Sequence, residues 1–174
     1  MKHQPMRVIG IDPGYAIVGY GVLDYWQNQF HPVNFGAVCT DAGMPFPTRL
    51  EKIYAELDNL LERFQPQAMA VEKLFFTTNQ KTGIDVAQAR GVILLCAQQH
   101  GVELFEYTPL QVKSSVTGYG KAEKSQVMQM VKTLLGLDAV PKPDDTADAL
   151  AVAICHGHSA GSSLSRLYLE NKRI

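Results

Sequence analysis

Two short stretches of this chain leave little freedom in how it folds. Arg7–Asp12 reads Arg-Val-Ile-Gly-Ile-Asp, and Ala68–Glu72 reads Ala-Met-Ala-Val-Glu. Neither alternates apolar with polar residues, so each is expected to be a strand covered on both faces, as in a sheet enclosed between two layers of helices. Both also end on a carboxylate. An unpaired carboxylate at the end of a buried strand is costly and tends to take up a proton, so Asp12 and Glu72 each call for a compensating partner.

The rest of the chain fits around those strands. Pro13-Gly14 turns the first one back. Ala16–Leu23, with Gly19 and Gly21 inside it, and Phe30–Cys39 continue an antiparallel meander. Glycine within a strand marks close approach by a backbone or ligand. Pro47–Phe64 carries apolar residues at helical spacing and stops at Pro66. Asn79–His100 is a long helix closed by Gly101, and Val102–Tyr107 a fifth strand. Helices follow at Pro109–Val116, Ser125–Leu135 and Asp144–His156, with a Gly118-Tyr119-Gly120 loop after the first. The order predicts a mixed five-stranded α/β sheet with helices on both faces. Residues 1–158 form a single domain in this reading, and 159–174 a flexible tail without periodicity.

The 174 residues suffice for one such domain. No apolar run is long enough to span a membrane, and the amino terminus shows no signal-peptide pattern, so a cytoplasmic protein is expected. Cys39, Cys96 and Cys155 are odd in number and far apart, as expected of buried thiols in a reducing compartment. The net charge of −1 argues against a protein that simply coats DNA. Its distribution is more informative: −3 over residues 1–72, +3 over 73–133 and −1 over 134–174. An acidic site beside a basic surface has that pattern.

Asp145 and Asp148 open the last helix one turn apart, on one face, and lead into a run that is apolar nearly all round. A helix start tolerates anions. Asp12, Glu72, Asp145 and Asp148 are the oxygen donors a hard divalent cation takes, and a pair of such ions can clamp a displacement at phosphorus. Taken singly, each acid also has a structural reading: Asp12 in a turn, Glu72 paired with Lys73 or an arginine, Asp145 as a helix cap. Asp144 reads as a cap. His156 and His158 sit two apart at what reads as a frayed helix end. His100 reads as a surface residue. Phe75 and Phe76 follow Glu72 and suit either base stacking or a core. Lys113, Lys121 and Lys124 flank the glycine loop and suit either phosphate or solvent.

Several motifs taken together resemble the RuvC family of Holliday-junction resolvases. They are Gly10-Ile11-Asp12-Pro13-Gly14 with Gly19-Tyr20-Gly21-Val22; Ala70-Val71-Glu72-Lys73-Leu74-Phe75; Gln88-Ala89-Arg90-Gly91; Glu106-Tyr107-Thr108-Pro109; Gly120-Lys121-Ala122-Glu123-Lys124-Ser125; and Asp145-Thr146-Ala147-Asp148-Ala149. They run in family order through about nine-tenths of the chain. The resemblance implies a ribonuclease-H-like fold and a Mg²⁺-dependent endonuclease, with two ions per site and Mn²⁺ able to substitute. It implies a homodimer that nicks four-way junction DNA symmetrically in recombination and repair, working with RuvA and RuvB. It assigns Asp12, Glu72, Asp145 and Asp148 to metal and catalysis, Phe75 to the bases at the junction centre, and Lys113 and Lys124 to DNA at the cut. Lys121 adds a phosphate contact. The apolar half of the helix 79–100, Leu94 included, is expected at the dimer interface. An actin-like sugar-kinase or ATPase reading is disfavoured, since that fold needs two domains enclosing a nucleotide and no second glycine loop is seen. A non-catalytic branched-DNA binder and an RNA-directed nuclease remain the competing classes.

Overall fold

The computed structural model describes residues 5–74, 80–160 and 173–174. Its elements in chain order are β1 (Met6–Asp12), β2 (Ile17–Trp26), β3 (Gln29–Cys39), α1 (Phe46–Phe64), β4 (Ala68–Glu72), α2 (Gln80–Gln99), β5 (Glu103–Tyr107), α3 (Pro109–Thr117), α4 (Lys124–Leu135) and α5 (Asp144–Ala160). The sheet order is β3-β2-β1-β4-β5. The first three strands pair antiparallel, while β4 and β5 run parallel to β1. The predicted mixed five-stranded sheet is therefore present.

Local chemistry accounts for the connections. Gln27 and Asn28 both have positive φ (50° and 61°), the two-residue turn whose twist matches a hairpin. That hairpin carries β2 on to Trp26, three residues beyond the predicted end. Pro32 lies in edge strand β3, next to the register shift at Val22/Leu23, where its missing N–H costs the ladder little. Thr108 and Gln111 cap α3 reciprocally.

Strand parity divides the core. Ile9, Ile11, Met69 and Val71 face α1 and α2. Val8, Ala68, Ala70, Phe105 and Tyr107 face α3, α4 and α5. Side chains alternate along a strand, so Asp12 and Glu72 project toward the α5 layer. Both also stand at the carboxyl ends of adjacent central strands.

Helix α5 is buried along most of its length. It lies close because the sheet beneath it lacks side chains. A Cβ on Gly10 would fall on the Ala149 carbonyl, one on Gly19 on the Asp145 carbonyl, and one on Gly21 on the Leu150 side chain. Gly10 pairs with Gly21, and Asp12 with Gly19. These three glycines form the seat that sets the start of α5 beside Asp12.

Two details depart from the sequence reading, the environments of His156 and Cys39. His156 is not at a frayed end: α5 continues to Ala160, and the His156 side chain is fully buried. Tyr107 Oη and His156 Nδ1 are hydrogen-bonded at 2.8 Å, tying α5 to β5. Cys39 is exposed, unlike Cys96 and Cys155. His100 Nε2 is hydrogen-bonded with Asp58 Oδ1 at 2.7 Å. At the chain's end, the Ile174 N–H donates to the Leu104 carbonyl on β5. Among the described residues no helix is long and apolar enough to cross a membrane.

Candidate active site

One cleft opens where the carboxyl ends of β1 and β4 meet the start of α5. Asp12, Glu72, Lys113, Lys124 and Asp148 line it, with Pro109, Val112, Val127 and Ala151 as its apolar wall. Asp12 comes from β1, Glu72 from β4, Lys113 from α3, Lys124 from the first turn of α4 and Asp148 from α5. Five residues from five elements, spread over more than 130 positions of sequence, thus face one space.

The charges are strongly coupled. Burial, followed by Asp148, Asp145 and Glu72, pushes the Asp12 carboxyl up to about 7, with Lys124 opposing. Burial and then Asp148 also raise Glu72, while Lys113 and Lys124 pull it down. The Lys124 ammonium donates to Asp148 Oδ2 at 2.8 Å and lies 3.8 Å from Asp144 Oδ2. That hydrogen bond is the first cause of the raised Lys124 pKa. Asp144 is further occupied by Lys142 at 2.7 Å.

Asp145 differs from the other three acids. It does not line the cleft, and reaches the site through its field on Asp12 and its backbone contact with Gly19. Lys121 is exposed on the loop before α4, outside the lining. Phe75 lies outside the described residues. Sequence reasoning missed the ion pair of Lys124 with Asp148 and the Tyr107–His156 bond that braces α5. The paired glycines of β1 and β2 were the available signal for the close approach of α5.

The donor set can be tested for fit to a cation. The cleft lining offers carboxylate oxygens and no imidazole or sulfur, which suits a hard divalent ion. Burial raises Asp12 first, and the charges of Asp148, Asp145 and Glu72 add to it with Lys124 opposing; a dication would offset both effects by favouring the charged carboxylate. Among the described residues, no three of these acids bring an oxygen each within 4.8 Å of one another. They ring the cleft, with Lys124 holding Asp148. The residues fit.

This sheet order, with acids at the ends of its two central strands and a third on the helix laid across them, defines a ribonuclease-H-like nuclease. Comparison with known proteins narrows the class. The family model for "Crossover junction endodeoxyribonuclease RuvC" matches residues 8–156. A protein of that name from Alkaliphilus oremlandii is 56% identical over 154 residues, 88% of this chain and 94% of its own. The structure of Thermus thermophilus RuvC aligns with TM-score 0.85 at 34% identity, covering 97% of this chain and 100% of that one. The same protein in complex with Holliday junction substrate aligns at 0.86 and 32%, with the same coverage. The chain belongs to the RuvC family of crossover junction endodeoxyribonucleases. Membership implies a divalent metal.

Proposed function

We propose that this chain resolves four-way DNA junctions by paired symmetric nicks, as one nuclease domain of residues 1–158 in each half of a homodimer. The observation that carries this reading is the shared cleft of Asp12, Glu72, Asp148, Lys113 and Lys124, at positions the family motifs assign to metal and DNA. Asp12, Glu72, Asp145 and Asp148 would hold Mg²⁺, two ions per site, and Mn²⁺ would substitute because it shares the preference for oxygen. Bound there, a dication lowers the pKa of water and offsets charge on the scissile phosphate.

The protein's own groups do the rest. Lys113 and Lys124 place positive charge beside the phosphorus, where it matters most as charge develops. Asp148 positions Lys124 through the 2.8 Å bond. Lys121 engages backbone phosphate as a point charge. Phe75 contacts bases at the junction centre.

The dimer contact is assigned to the outward stripe of α2. Ile84 and Leu95 are 59% and 55% exposed, and with Gln88 and Gly91 they follow helical spacing along one face. Leu94, which the sequence pattern places in this contact, is partly buried and packs against the core beneath α2. Action with RuvA and RuvB rests on the family resemblance; the cytoplasmic setting rests on the amino-terminal pattern and the cysteines.

The test uses a synthetic immobile four-way junction, a matched linear duplex and a matched hairpin, each with Mg²⁺ or EDTA. Nicks in the junction alone, absent with EDTA and in Asp12→Asn, are the expected result. Binding without cutting in either Mg²⁺ or Mn²⁺ would make the chain a non-catalytic junction binder and overturn the reading.

A further inference from the structure

A second cluster of metal-ligand side chains lies on the other side of the molecule. Asp58 on α1 faces Cys96 on α2 and His100 just past its end, and one ligand atom from each lies within 4.8 Å of the others. Cys96 and His100 are four residues apart, so they share a helix face. The bond from the His100 N–H to the Cys96 carbonyl, at 3.2 Å, keeps that geometry through the last turn. His100 Nε2 meets Asp58 Oδ1 at 2.7 Å.

Three features distinguish this cluster from an ordinary surface ion pair. Its donors are sulfur, nitrogen and oxygen together. Cys96 is fully buried, whereas His100 and Asp58 are 21% and 36% exposed, so the cluster has a closed inner ligand and an open outer side. That open side meets a groove shared by His100 and Glu62, and Glu62 lies one turn along α1 from Asp58.

The location separates it from the nuclease cleft. Cys96 packs in the α1/α2 layer, and Asp12 and Glu72 project into the α5 layer. His100 leads through Gly101 into the start of β5, the end of the parallel strands opposite to Glu72 and Tyr107.

We infer that Asp58, Cys96 and His100 form a second metal site, for a thiophilic divalent ion of which Zn²⁺ is the best match. Three mixed S, N and O ligands with a fourth position open is an arrangement zinc accepts, and one for which Mg²⁺ has little affinity. On binding, the Cys96 S–H bond breaks, its proton leaves to solvent, and the thiolate forms the metal–sulfur bond. No electron changes hands. Without the ion, burial and Asp58 push the Cys96 thiol up to about 11, which keeps it protonated. A coordinated dication supplies the positive charge the thiolate lacks. The bound ion staples α1 to α2, the two helices that cover one whole face of the sheet.

Co²⁺ is the probe, because thiolate coordination gives it a charge-transfer band in the near ultraviolet and a four-coordinate site gives strong visible bands. The full chain is titrated in excess Mg²⁺, which occupies the oxygen-lined cleft. The expected result is one equivalent of Co²⁺ showing the thiolate band, displaced by one equivalent of Zn²⁺. The band should be lost in Cys96→Ala and unchanged in Asp12→Asn and in Cys39→Ser, which removes the exposed thiol. His100→Gln retains a hydrogen bond to Asp58 and protects the fold, and should weaken Co²⁺ binding by at least about tenfold. Absence of the thiolate band, its survival in Cys96→Ala, or its loss in Cys39→Ser overturns the inference.

Discussion

Replacing Asp12 with asparagine should stabilise the metal-free protein while abolishing cleavage, and the gain should depend on pH. Asp12 is raised from 3.8 to about 7. Its raised pKa means the protonated acid suits the native state, and the stability it contributes is present below pH 4 and lost as pH rises through 7. Roughly three pKa units correspond to about 4 kcal/mol of lost stability by pH 8. Between pH 5 and pH 8 the linkage relation gives about 2–3 kcal/mol of that change. Asparagine cannot ionise, so the difference between variant and wild type should widen by that amount, equivalent to about 5–10 °C in Tm for a domain of this size. The buried amide brings its own cost of about 1–3 kcal/mol where it lacks partners, but that offset does not titrate. Thermal melts of both proteins in EDTA at several pH values measure the difference directly. His156 also titrates, but it is common to both proteins and cancels. With Mg²⁺ at about 100 times Kd, the wild type should regain about 2.7 kcal/mol, and Asp12→Asn much less. A Tm difference that stays flat from pH 5 to pH 8 would refute the claim that burial and the neighbouring acids hold Asp12 protonated in the native cleft.

Other substitutions test the surrounding parts. Lys124→Met should lower cleavage by about 10²–10³-fold, as removal of one charge-stabilising donor does, while junction binding falls only slightly in a gel-shift titration. Gly19→Ala should cost about 1–3 kcal/mol or more in chemical denaturation through overpacking, because its Cβ meets the Asp145 carbonyl, and it should weaken Mg²⁺ binding by moving the start of α5. Burial lowers the His156 pKa to about 4, so its contribution is present above pH 6.5 and lost as pH falls toward 4. Tyr107→Phe, which leaves His156 Nδ1 without this partner, should cost about 1–3 kcal/mol in urea titrations. Leu95→Asp should shift the sedimentation coefficient from dimer to monomer, and Leu94→Asp should instead destabilise the fold.

The outline of the fold is legible in local pattern. Val8-Ile9-Gly10-Ile11 and Met69-Ala70-Val71 read as doubly covered strands, and Gly101 and Gly136, both with positive φ, end helices where expected. Asp12 and Glu72 were legible as costly acids because they terminate those strands. Their convergence with Asp148 was not, since it depends on where α5 lands. That landing is set by Gly10, Gly19 and Gly21, which become one seat only after β1 and β2 pair. Pairwise contacts between distant elements were likewise invisible, among them Lys124 with Asp148 and Tyr107 with His156. Leu94 and Leu95 differ in exposure although adjacent: one residue along a helix is a turn of about 100°, enough to exchange a partly buried position for an exposed one. His156 was misread because a histidine near a helix end is usually solvated, whereas the apolar run of α5 carries this one inside.

The most direct test of the central claim is to map, at nucleotide resolution, where an immobile four-way junction is cut in Mg²⁺. A homodimer presenting two copies of the Asp12–Glu72–Asp148 cleft predicts two nicks on opposing strands, at symmetric positions, with ligatable ends. No nick should appear in the matched duplex. A single unpaired nick, or equal cutting of junction and duplex, would contradict the account.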